Sequence, residues 1–325
     1  MYSHRIMRGR VGALALLTAT VLTATAISTI GADRAESASP APSTLGTDKS
    51  RVVFNSPVRV RGQFRRTTAT TAAASGTGAA APVAPTQPRR FVVGIQFRGL
   101  GENHWQTLGR THAGQAGWFD GRFPVRRSGY FRAVALGGRH TPSRRVIVGS
   151  KLADKISKRS AVVGDRVVIS GVVRPGGTRP VKVSVGGKTI HTHSDKHGRY
   201  SVAWHAPSTG TRSVRISADG NLRGTSVSRK AGKITVFRPA VASWYGPGFY
   251  GNRTACGQTL TPGMLGVANK TMPCGTHLTL RYNGNQVQVT VIDRGPYVAG
   301  REFDLTEATK NALGFGSTGT VLSSK

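Results

Sequence analysis

The sequence predicts a mainly β protein, with two β-sandwich repeats of immunoglobulin-like type followed by a third β unit. Three observations predict it. Helix-length runs of Leu, Glu, Lys and Ala are nearly absent, whereas Gly (42 residues), Thr and Val are abundant, a composition that favours strands and turns. Short runs of alternating apolar and polar residues recur between Gly, Pro and Ser turns, at the spacing of about 8–12 residues expected of sandwiches. The order of these runs then repeats once along the chain.

The chain opens with a basic start (His4, Arg5, Arg8 and Arg10), an apolar run from Val11 to Ile30, and small residues at Ala35, Ser37 and Ala38. Residues 1–38 are read as a secretory signal peptide. The apolar run approaches the roughly 20 residues that span a bilayer, but its many Thr residues and its small-residue tail favour cleavage over a retained anchor. No second apolar stretch could cross a membrane, so no stable membrane insertion is expected after cleavage. The mature protein is expected to be secreted, either soluble or bound to the cell wall.

Residues 39–49 are polar and aperiodic and are read as a disordered leader. The first sandwich spans 50–150, with strands expected at Val58–Phe64, Phe91–Phe97, Trp118–Val125, Tyr130–Leu136 and Arg145–Val148. Within it, residues 67–88 contain Thr, Ala, Gly and Pro that cannot bury a core, and read as a flexible insertion. The second sandwich spans 151–238 and repeats the order. Val167–Val173 (VVISGVV) answers Val58–Phe64 (VRVRGQF), and His197–Trp204 (HGRYSVAW) answers Asp120–Val125 (DGRFPV). The stretch from Thr209 to Asn221 answers that from Ser128 to Gly138, and Lys233–Phe237 answers Arg145–Val148. Spacers or wall-binding modules are the roles expected of both repeats.

The formal charge is +33, from 46 basic and 13 acidic residues. Such a field gathers polyanions. In an exported chain the basic surface is expected to meet the anionic polymers of a wall; no nucleic-acid motif appears, so nucleic acid is not expected as a partner. His191, His193 and His197 lack a Cys or acidic partner other than Asp195, which reads as a turn residue, so no metal site and no cofactor are expected. The two cysteines, Cys256 and Cys274, form an isolated pair that reads as a disulfide in an exported protein.

The third unit, residues 239–325, carries the motifs. Ala242-Ser243-Trp244-Tyr245-Gly246 is followed by Phe249, Gly251, Thr254-Ala255 and Gly257. Then come Leu265 to Thr276 (LGVANKTMPCGT), Asp293-Arg294-Gly295-Pro296-Tyr297 and Phe303-Asp304-Leu305-Thr306. In this order the unit resembles the rare lipoprotein A family. The resemblance implies a six-stranded double-psi β-barrel acting on peptidoglycan glycan strands. It implies either a lytic transglycosylase that cleaves the MurNAc–GlcNAc bond or an expansin-like module that grips the polymer without cleaving it.

From Ala240 onward only four carboxylates occur: Asp293, Glu302, Asp304 and Glu307. Glycan cleavage is usually built on carboxyl groups, and one carboxyl can act as acid and then as base. Asp293 ends an alternating strand before a Gly-Pro turn and matches the family's catalytic aspartate by resemblance. Asp304 is the second candidate. Either it or Thr306 would cap a helix from Thr306 to Leu313, with Glu307 in its first turn. Trp244 suits a barrel core. Tyr245 and Tyr297 suit a groove, alongside Phe249 and Tyr250, because flat rings match sugar faces. Arg253, Lys270 and Arg294 could meet wall carboxylates. Two positions depart from the family's transglycosylases: Gln258 stands where a glutamate is usual and Asn269 where a histidine is usual. Both can hydrogen-bond a sugar, but neither moves a proton near neutral pH.

Overall fold

The computed structural model describes residues 43–65 and 90–325. The expected signal peptide and the expected insertion at 67–88 lie outside the described residues.

The first sandwich contains β1 (Thr44–Thr47), β2 (Arg51–Val53), β3 (Ser56–Gln63), β4 (Phe91–Gly99), β5 (Gln106–Ala113), β6 (Trp118–Val125), β7 (Gly129–Ala135) and β8 (Arg144–Gly149). They form two sheets, β1-β3-β6 and β2-β8-β7-β4-β5. Alternate residues such as Val93, Ile95, Phe97, Phe131 and Ala133 turn inward and are almost fully buried, as the period of two requires. One expectation is corrected. The leader read as disordered contributes β1, whose Thr44–Thr47 pair with Val60–Gln63 of β3. Polar composition concealed it because only Leu45 of this edge strand is buried.

The second sandwich contains β9 (Lys151–Ile156), β10 (Ser160–Val162), β11 (Arg166–Arg174), β12 (Pro180–Val185), β13 (Lys188–His193), β14 (Arg199–His205), β15 (Gly210–Ala218) and β16 (Val227–Tyr245). Its sheets are β14-β11-β9 and β13-β12-β15-β16, with β10 running parallel to β16. Strand for strand, β9 to β16 repeat the pairings of β1 to β8, including the parallel pairs β2–β8 and β10–β16. A shared packing detail supports the repeat. A Cβ added at Gly62 would stand 2.6 Å from the Phe119 ring, and one at Gly171 would stand 2.4 Å from the Tyr200 hydroxyl oxygen. In each copy an aromatic residue lies across the glycine directly opposite it, and any larger residue would push the ring out of the core. Strands β2, β5, β9, β10 and β12 were not among the expected runs. The short β10 and the half-exposed β5 and β9 give weak alternation in sequence.

The barrel begins in the same strand that ends the second sandwich. Residues 227–236 of β16 pair with β15, whereas Arg238–Ala242 pair with β21 (Gly319–Ser323) and Ala242–Tyr245 pair with β20 (Phe303–Thr306). The boundary expected between 238 and 239 therefore falls inside β16. With β17 (Gly266–Ala268), β18 (His277–Tyr282) and β19 (Asn285–Asp293), the order β16-β20-β17-β19-β18-β21 closes through the β16–β21 pairing. Six strands thus form a closed barrel, with parallel pairs at β16–β20 and β17–β19. Ala242, Val267, Leu280, Val291, Phe303, Leu305 and Leu313 fill it. The one α-helix among the described residues, α1 (Glu307–Leu313), is capped by Thr306, whose hydroxyl accepts from Thr309 N, and ends at Gly314 in the left-handed region.

Candidate functional site

Closing the barrel brings three remote segments to one mouth: the end of β16 with the loop to Leu260, the end of β19, and β20. Their side chains line an open groove of about 280 Å³. Tyr245, Phe249, Asp293, Tyr297 and Asp304 are among its lining residues. A cleft of equal volume in the first sandwich, bordered by Phe97, Leu108 and Phe123, has no carboxylate, thiol or imidazole in its lining. The barrel groove is therefore the place where chemistry is available.

The four barrel carboxylates divide cleanly. Glu302 is ion-paired with Arg238, and Glu307 accepts from the Tyr250 hydroxyl. Neither lines the groove. Asp293 stands where β19 breaks into its turn. Its Oδ1 accepts backbone N–H groups of Ala255 and Arg294, both at 2.8 Å. Such bonds hold a carboxylate in place. They occupy one oxygen, Oδ1, and the Tyr245 hydroxyl faces the same carboxylate. Asp304 does not cap α1, since Thr306 does. Ser243 donates to Asp304 Oδ1 instead, and Asp304 lies beside Asp293 in the groove lining.

Tyr245 lines the same groove, within reach of the charges of both acids. Its hydroxyl is buried and faces the Asp293 carboxylate without a hydrogen bond of regular geometry. Burial pushes the phenol pKa far up, and the nearby charges of Asp293 and Asp304 push it further. The Tyr245 ring meets Phe249 edge-on at 6.2 Å. Phe249 is 55 % exposed and Tyr297 is 82 % exposed, so both offer open faces at the rim. Trp244, by contrast, packs against the barrel core, with Lys310 over its ring at 4.1 Å.

Three expected binding residues are placed differently. Asn269 is 3 % exposed. Its Oδ1 accepts from Thr271 N and Met272 N, and its Nδ2 donates to Glu302 O. It therefore shapes the loop under the groove and cannot reach a ligand. Arg294 lines the groove, but its Nη1 donates to Asn269 O and Met272 O and its Nη2 lies 3.1 Å from Cys274 Sγ. Its charge ties down the 269–274 loop rather than meeting a free carboxylate. Gln258 is exposed in the turn bounded by Arg253 and Thr259 and is not part of the lining. Arg253 does line the groove, and Lys270 is exposed outside it. Cys256 and Cys274 form the disulfide, with Cα atoms 5.6 Å apart, which fastens the Thr254–Gln258 turn to that loop.

Sequence reasoning missed Asn252, Thr254, Leu260 and Ala268 in the lining. Thr254 matters most: its Oγ1 is buried without a partner. The Thr-Ala-x-Gly motif contained it, but nothing in the sequence showed that its hydroxyl would face a groove. No cluster of His, Cys, Asp and Glu suited to a metal occurs among the described residues. His191 and His193 are exposed on β13, and Asp195 accepts from His197 N and Arg199 N as a turn residue.

Comparisons with known proteins bear on this groove. The family described as lytic transglycolase matches residues 239–322. The endolytic peptidoglycan transglycosylase RlpA of Campylobacter jejuni is 43 % identical over 83 residues, covering 25 % of this chain and 30 % of that protein. The protein of the same name from Neisseria meningitidis serogroup B is 38 % identical over 140 residues, covering 41 % of this chain and 59 % of its own length. The chain thus spans less than two thirds of either relative. Among solved structures, the Yersinia pseudotuberculosis adhesin InvE is similar at 12 % identity and a TM-score of 0.30, covering 60 % of this chain and 58 % of that one. The motif order, the closed six-strand pairing and the family match agree on one conclusion: the C-terminal domain of this chain is an RlpA-like double-psi β-barrel.

Proposed function

We propose that the barrel binds peptidoglycan glycan strands in this groove and cleaves the MurNAc–GlcNAc bond by intramolecular transglycosylation, in a protein secreted to the cell wall. One observation carries the reading. The two barrel carboxylates that are not engaged by Arg238 or Tyr250 converge in a groove rimmed by exposed aromatic rings. The named activity of the relatives supports it.

Asp304 Oδ2 gives a proton to the glycosidic oxygen as the bond from MurNAc C1 to that oxygen breaks. Asp293 Oδ2 takes the proton from the C6 hydroxyl of the same MurNAc, and the freed O6 bonds to C1. One strand then ends in 1,6-anhydro-MurNAc and the other in a GlcNAc 4-hydroxyl. No water is consumed, and the proton held by Asp293 returns to Asp304 through solvent. General acid–base help of this kind is worth about 10²–10⁴ in rate.

A second reading, an expansin-like module that grips glycan without cleaving it, is favoured by Asn269 and Gln258. Neither supplies a titratable group to the groove. The two readings separate by mass spectrometry of purified peptidoglycan and stem-peptide-free glycan after incubation with wild type, Asp293→Asn and Asp304→Asn. The expected result is soluble fragments ending in 1,6-anhydro-MurNAc from wild type, reduced about 100-fold or more in either variant. Co-sedimentation of all three with peptidoglycan without any such fragment would replace the enzyme by the binding module.

A further inference from the structure

The strands of the sheet β2-β8-β7-β4-β5 contain six arginines and neither a lysine, an aspartate nor a glutamate. Because Val93, Ile95, Phe97, Phe131, Ala133, Val146 and Val148 face the core, the alternate positions face outward. That places Arg98, Arg132 and Arg145 on one outer surface, with Tyr130 among them. Tyr130 stands opposite both Arg98 and Arg145 in the register. None of these arginines forms an ion pair among the described residues.

Two of the guanidinium groups are held rather than merely solvated. Arg132 lies 4.2 Å from the centroid of the Trp105 ring, and Arg98 lies 5.0 Å from the same ring and 5.6 Å from that of Tyr130. Arg132 Nε also donates to Gln96 Oε1 at 2.8 Å. Burial pulls the Arg132 pKa down, and the nearby charge of Arg98 lowers it further. The pair is thus a like-charge arrangement with no acid to relieve it, oriented in advance by aromatic faces. A cleft of about 420 Å³ runs beside it, lined by Trp105, Arg132, His140 and Thr141 among others.

We propose that this face binds an anionic polymer linked by phosphodiesters, with Arg98 and Arg132 gripping successive phosphates across Trp105. Arginine without lysine fits that partner, because a planar fork binds phosphate oxygens two at a time whereas an ammonium acts as a point charge. A face without carboxylates imposes no repulsion on a polyanion laid across its strands. The site lies in the first sandwich and is independent of the barrel groove. The choice of a polyol phosphate, rather than a nucleic acid, rests on the extracytoplasmic reading above.

The test is equilibrium binding of the protein to soluble poly(glycerol phosphate), with no peptidoglycan present, over a series of salt concentrations. Arg98→Gln with Arg132→Gln is expected to weaken binding by about tenfold or more and to make the slope of log K against log salt shallower by about one to two. Lys182→Gln with Lys230→Gln removes the same charge from exposed positions of the second sandwich. It is expected to change binding by about twofold or less, as for solvated charges. Arg98→Lys with Arg132→Lys keeps the charge and is still expected to weaken binding several-fold, because the stacked forks are lost. Thermal melts of each variant confirm that it folds. Equal losses in the Gln pairs, or full binding by the Lys pair, would overturn the site. Tighter binding of oligothymidylate or polyglutamate than of poly(glycerol phosphate) would overturn the partner. Asp293→Asn is expected to bind the polymer like wild type, so failure here is distinguishable from failure of the glycan-cleavage reading.

Discussion

The Tyr245 phenol is the most exposed to a single-atom test. The buried hydroxyl faces Asp293 without a regular hydrogen bond, so its desolvation, about 1–3 kcal/mol, is only partly compensated. Tyr245→Phe removes that oxygen and keeps the ring against Phe249. The expected outcome is stability within about 1 kcal/mol of wild type, with weaker glycan binding. Calorimetric melts and co-sedimentation read the two effects separately. The pH dependence has a definite sign. The unfolded phenol ionises near pH 10, whereas the folded one is held neutral well above that by burial and by Asp293 and Asp304. Above pH 10 the folded state binds more protons than the unfolded state, so stability is complete below pH 10 and falls as the pH rises past it. Tyr245→Phe is expected to flatten that alkaline fall in melts between about pH 9 and 11. Tyr200, raised by burial and then by Asp154, contributes a fall of its own that the variant leaves in place.

One residue positions the element nearest the groove. Thr306 is 2 % exposed. Its hydroxyl donates to Met264 O at 2.6 Å while lying within bonding reach of Gly266 N and Thr309 N. It therefore joins the start of α1, the end of β20 and the entry to β17. Thr306→Val keeps the shape but takes their partner from Met264 O and Thr309 N, while Gly266 N keeps Thr309 Oγ1, at an expected cost of about 2 kcal/mol, whereas Thr306→Ser is expected to cost much less. Denaturant unfolding followed at Trp244 measures both. The disulfide acts at the same scale. It closes a separation of 18 residues and contributes about 3 kcal/mol in the chain-entropy model. Its effect falls on the loop that presents Asn269 and receives the Arg294 side chain.

The modules are joined with little slack. Only Ser150 separates β8 from β9, and β16 passes from sandwich to barrel without a break. The loop 220–225 of the second sandwich also bonds the first: Ser128 N donates to Arg223 O and Thr225 N to Val148 O. Arg179 holds this junction although it is 2 % exposed and faces no carboxylate. It donates to Ser150 Oγ at 3.1 Å, Pro175 O at 2.7 Å and Asn221 Oδ1 at 3.0 Å. Burial alone lowers its pKa, yet a guanidinium keeps its charge at any ordinary pH. Arg179→Leu takes the donor from Pro175 O, whereas Ser150 Oγ keeps its bond to Thr225 O and Asn221 Oδ1 still accepts from Arg223 N and Gly224 N, so it is expected to cost about 2 kcal/mol and lower the melting temperature of the paired sandwiches by several degrees. Differential scanning calorimetry checks it.

By itself the sequence determined the β class, the repeat and the barrel family, because period-two patterning, turn residues and ordered motifs are local properties. Trp118–Val125 and a helix over Thr306 to Leu313 were legible for that reason, whereas the choice of Thr306 over Asp304 as its cap was not. Asp293, Asp304, Tyr245 and Tyr297 were legible as candidates through residue type and motif. The edge strand Thr44–Thr47 was not, since its order comes from pairing with Gln63 to Val60 rather than from its own composition. Nor were the roles of Asn269, Arg294 and Thr254. Whether a carboxamide, a guanidinium or a hydroxyl meets a ligand depends on which groups the fold has already placed around it. Only the closed barrel decided that Asn269 and Arg294 are held by backbone partners while Tyr245 and Thr254 line the groove.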